Sequence, residues 1–98
     1  MQQNLAIGWE KTYVAAETLV HTGKCILHNI TLNGVTTVGD ILVYDGTTAA
    51  GTLIATLNVR TAVAVSFQGM TFNYDCKMAD GIFVTFATFA GNVTVTWG

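Results

Sequence analysis

The chain has 98 residues, 51% apolar and only 10% charged, with six acids against four bases and a formal charge of −2. That length fits one domain. Lys11, Lys24, Arg60 and Lys77 stand singly, which argues against a nucleic-acid partner, and no apolar run is long enough for a membrane helix.

A typical soluble domain carries about 25% charged residues. Here Thr, Asn and Gly must cover much of the surface, or partner molecules must. The second alternative predicts a homo-oligomer or a larger particle. No basic segment followed by an apolar one opens the sequence, so no export signal is read there.

Residues 1–12 read as an N-terminal arm and residues 13–98 as a single β domain. Leu5, Ile7 and Trp9 alternate within the arm. A segment carrying a tryptophan should add a strand to its own sheet or lie across a neighbouring molecule. The latter makes Leu5, Ile7 and Trp9 candidate contact residues. The former packs Trp9 on its own domain.

From Tyr13 to His21, β-branched and aromatic residues favour a strand despite Ala15-Ala16-Glu17, and Thr22-Gly23 closes it. In the next run Ile26, His28, Ile30 and Leu32 share one face, with Cys25, Leu27, Asn29 and Thr31 on the other. Asn33-Gly34 signals a turn. Val35 to Gly39 is then a short strand or an ordered loop.

Asp40 to Val59 is the organising stretch. An apolar run enters a loop at Asp45-Gly46 and another leaves after Gly51. In the second run Leu53, Ala55, Leu57 and Val59 alternate with Thr52, Ile54, Thr56 and Asn58, a period of two. The loop is too short for a crossover helix, so the two strands are antiparallel neighbours.

Thr61, Val63, Val65 and Phe67 alternate next, until Gln68-Gly69 breaks the run. Met70, Phe72, Tyr74 and Cys76 define a further face, and Lys77 to Gly81 a polar turn. Ile82, Val84 and Phe86 oppose Phe83, Thr85 and Ala87. Gly91-Asn92 turns the chain into a last strand with Val93, Val95 and Trp97 on one side. Seven to eight short strands between Gly, Asn and Asp turns, without proline, predict an all-β, antiparallel β-sandwich of jelly-roll-like form.

Chemistry is sparse. His28 reads as a hydrogen-bonded core or interface histidine, and no further ligands are spaced with it or His21 for a metal site. Asp40, Asp45, Asp75 and Asp80 stand at strand ends or turns, where carboxylates bond local backbone N–H groups. The single serine, Ser66, has no triad around it, and Cys25 and Cys76 lack a Cys-x-x-Cys spacing. They read as two buried thiols, with pairing left open. The expectation is no enzyme, no cofactor and no metal. Among ten aromatics, Phe83 and Phe89 fall off the main core face and could stack on a sugar or a partner chain. With Tyr13 they are the candidate oligomer-interface residues.

The order Gly-Lys-Cys-Ile-Leu-His-Asn-Ile-Thr-Leu-Asn (23–33), Ile-Leu-Val-Tyr-Asp-Gly-Thr-Thr-Ala-Ala-Gly-Thr-Leu-Ile-Ala (41–55), Gly-Ile-Phe-Val-Thr (81–85) and Asn-Val-Thr-Val-Thr-Trp (92–97) resembles a group of small tailed-phage structural proteins. The likeness runs from Gly23 to Trp97. Gly46 and Thr47-Thr48 depart mildly from the group's usual asparagine and Thr-Ser. The resemblance implies a capsid cement or decoration protein made in the host cytoplasm and carried on the virion. It also implies a homotrimer as the oligomer and the major capsid protein as partner. A head- or tail-fibre module binding host-surface glycan is the alternative it implies. The first 22 residues lie outside the likeness.

Overall fold

The computed structural model describes residues 9–60 and 70–98. Among them are eight strands: β1 (Glu10–Val14), β2 (Thr18–Thr22), β3 (Cys25–Thr37), β4 (Gly39–Asp45), β5 (Thr52–Val59), β6 (Met70–Met78), β7 (Gly81–Ala87) and β8 (Ala90–Trp97). They form two four-stranded sheets, the first ordered β1-β8-β3-β6 and the second β2-β7-β4-β5. All the strand pairs are antiparallel.

The pairs β1–β8, β2–β7, β3–β6 and β4–β5 are nested inside one another. The chain is thus one long hairpin wrapped so that successive pairs fall alternately in the two sheets, which is the jelly-roll topology. The innermost pair is the predicted hairpin, running from Asp45↔Thr52 to Gly39↔Val59. The alternating run Thr61 to Phe67 and its break at Gln68-Gly69 lie outside the described residues, as do Leu5 and Ile7.

The alternation that predicted the strands builds the core. Val14, Leu27, Ile30, Leu32, Val93 and Val95 of the first sheet meet Ile41, Val43, Ile82 and Val84 of the second, all buried. No polar or charged residue is buried among the described residues. Dispersion and apolar burial therefore hold the sheets together, with backbone ladders satisfying the polar groups within each sheet.

Three readings are corrected by irregular registers. The β3 register shifts between Leu27 and Asn29 against both neighbours: His28 is the extra residue against β8, while against β6 it stands opposite two residues, Tyr74 and Asp75. A one-residue shift inverts the facing of everything on one side of it. Consequently Cys25 and Leu27 share the core face with Ile30 and Leu32, while Ile26 is exposed. In β5 the shift falls at Ile54, so Leu53 turns outward although Ala55, Leu57 and Val59 pack inward. Asn33-Gly34 makes no turn: β3 runs through it, and Gly34 pairs with Asn92.

The strand around Tyr13 begins at Glu10, inside the segment read as an arm, and pairs there with Trp97. It breaks at Ala15-Ala16-Glu17, where the chain passes from the first sheet to the second. The turn before β8 is Thr88-Phe89, with Gly91-Asn92 already in the strand. Gly81 opens β7 with φ of 147°, and a Cβ there would collide with the His21 carbonyl oxygen. Only glycine fits that approach.

Candidate functional site

The two sheets present outer faces of opposite character. On β7, Ile82 and Val84 belong to the core, so Phe83 and Thr85 point away from it. Phe83 pairs with Leu19 on one side and Tyr44 on the other, and Tyr44 pairs with Leu53. The result is an apolar row, Leu19–Phe83–Tyr44–Leu53, crossing the second sheet. Leu42 continues it in the next row, opposite Thr85 and Thr56. Leu53 is 48% exposed at the end of the row, while Phe83 in the middle is only 8% exposed, tilted against Tyr44 at 6.3 Å. Glu17, which accepts from the Thr85 hydroxyl at 2.9 Å, contributes to a polar rim. So does Asp40, which pairs with Arg60 at 3.0 Å and accepts from Asn58. The Asn58 amide, then the Arg60 guanidinium, hold the Asp40 carboxyl below its usual range.

The first sheet shows hydroxyls and amides instead. One row reads Lys11–Thr96–Asn29–Asn73 and the next Tyr13–Thr94–Thr31–Thr71. Thr31 and Thr71 share a hydrogen bond of 3.0 Å, and Asn33 donates to Thr94 at 2.9 Å. At one end stands a three-residue cluster. The Trp9 indole lies on the His28 imidazole, centroids 4.2 Å apart and planes 4° from parallel. His28 Nδ1 in turn contacts the Asp75 carboxylate. The register shifts that free His28 from the ladder also free Asp75, whose φ of 47° is left-handed. The C-terminal Gly98 lies beside the indole, where a Cβ would stand 2.8 Å from Cε3.

The predicted contact residues therefore do not share one surface. Trp9 packs on its own domain, with 46% of it exposed, and Tyr13 (64% exposed) lies on the same outer face. Phe83 belongs to the opposite outer face. Phe89 is in the core, 4% exposed and edge-on to Phe86 at 4.9 Å, which corrects its placement off the core. The His28–Asp75 pairing could not be read from the sequence, because it depends on two coupled shifts in strands 47 residues apart.

Asp45 departs from the expected local bonding. Its carboxylate accepts the backbone N–H groups of Ala79 and Asp80, both at 2.9 Å, and these hold its pKa below the ordinary value. Cys25 and Cys76 are free thiols, both raised by burial first and by the Asp45 charge second. Among the described residues no three His, Cys, Asp or Glu side chains gather as a metal-binding group. Compared with known proteins, the chain matches no family model, no curated protein and no solved structure.

Proposed function

We propose that this protein is a capsid cement or decoration protein of a tailed phage, non-enzymatic, working as a homotrimer that bridges major capsid subunits. The observation that carries the reading is the apolar row Leu19–Phe83–Tyr44–Leu53 on an outer sheet face. It stands in a chain with 10% charged residues. Contiguous apolar surface with a polar rim favours association. Each exposed leucine covered contributes on the order of 1 kcal/mol, so one copy binds weakly. An oligomer multiplies those contacts, and the shell gains resistance to internal pressure through avidity. Leu5 and Ile7 of the arm add a second contact in this reading.

The test is co-sedimentation with capsids that lack the protein, paired with the light-scattering mass of the free chain. Saturable binding by a species three times 10.4 kDa is expected. A stable oligomer that ignores capsids rejects the cement role. Deleting residues 2–8 should weaken shell binding while leaving the oligomer intact.

A further inference from the structure

We propose that the outer face of the first sheet is a binding site for a neutral oligosaccharide, with Trp9 as its stacking platform. The face joins three features. First, the indole is held in place rather than free: His28 supports it, and Asp75 fixes His28. An immobilised, half-exposed aromatic can cover the C–H face of a pyranose ring at little entropic cost.

Second, the polar groups beside it suit hydroxyls. Asn29 and Asn73 pair across β3 and β6, and neither side chain bonds another side chain among the described residues. Asp75 lies two residues beyond Asn73, its side chain 62% exposed, leaving carboxylate oxygen for a further hydroxyl. Asp75 also keeps a left-handed backbone, and backbone outliers of that kind gather at functional positions.

Third, Tyr13 stands on β1, which begins one residue after Trp9, roughly 13 Å along the chain at strand rise. That separation gives a chain of several sugar units a second aromatic. Lys11 is the one cation in the two cross-strand rows, so phosphate or sulfate groups find little there. The face lies opposite the apolar row, so this site does not depend on the capsid reading.

The experiment follows the two indole N–H resonances of the intact chain during titration with neutral oligosaccharides of glucose, mannose, galactose and N-acetylglucosamine, each to roughly 10 mM. At least one should shift the Trp9 resonance saturably. The Trp97 N–H, bonded to Thr12, serves as the internal control and should not move. Trp9→Ala should weaken binding at least about tenfold, and Asn73→Ala about threefold, with the fold intact in both. Thr56→Ala, on the opposite face, should leave affinity unchanged. The proposal is overturned if no sugar moves the Trp9 resonance, or if binding survives both Trp9→Ala and Asn73→Ala.

Discussion

The Asp45 carboxylate accepts the backbone N–H of Asp80 at 2.9 Å across 35 residues of chain. With the Ala79 N–H it ties the end of β4 to the β6–β7 turn, where Gly46 also donates to the Gly81 carbonyl. One side chain thus clips the innermost hairpin to the crossing between the sheets.

Replacing Asp45 by alanine should therefore destabilise the fold by about 1–3 kcal/mol, since two backbone donors lose a charged acceptor. The pH dependence has a definite sign. The folded-state pKa is lowered, so the contribution is complete above the unfolded carboxyl value near 3.8 and is lost as pH falls through the folded value. Denaturant midpoints of the wild type and Asp45→Ala should draw together as the pH is lowered from about 6 through the carboxyl range. A constant gap between them over that range would refute the clip.

Thr88 occupies φ of 68° in the turn between β7 and β8. A β-branched residue there is strained by about 1–2 kcal/mol. Thr88→Gly should raise stability by about 0.5–1 kcal/mol after the added chain entropy is deducted. Gly81→Ala should do the opposite, by more than about 2 kcal/mol, because its Cβ has no room beside the His21 carbonyl. Thermal melts of the two variants test both statements.

The outer faces predict different phenotypes for residues that look alike in sequence. Phe89→Ala should cost about 3–5 kcal/mol, as a core phenylalanine that loses its contact with Phe86. Tyr13→Ala should change stability by less than about 0.5 kcal/mol. Equal effects of the two in a denaturant titration would contradict their placement.

If the apolar row is covered by association, a charge within it should dissociate the assembly without unfolding the chain. Leu53→Lys and Leu19→Lys should each lower the light-scattering mass toward 10.4 kDa while the far-ultraviolet dichroism keeps its β signature. An unchanged oligomer mass would show that this face is not the one covered.

Strand count, antiparallel pairing and the β4–β5 hairpin were legible in the sequence because they rest on local signals. Alternation marks strands, and Asp45-Gly46 with Gly51 marks a loop whose length admits only a hairpin. The low charge left two surfaces open, one of Thr, Asn and Gly and one covered by partner molecules.

Facing was another matter. Alternation reports a phase, and a bulge resets the phase without changing composition, so the sequence alone put His28 with the core and Leu53 with Ala55. Only the tertiary structure decided where the resets fall, because each depends on the partner strand it must match. The shifts between β3 and β6 set His28 beside Asp75 and under Trp9; the shift in β5 turned Leu53 into the apolar row. The sequence by itself determined that this chain folds as a β-sandwich. Which side chains meet on its two outer faces was decided by long-range register, a property of strand pairs that no single strand contains.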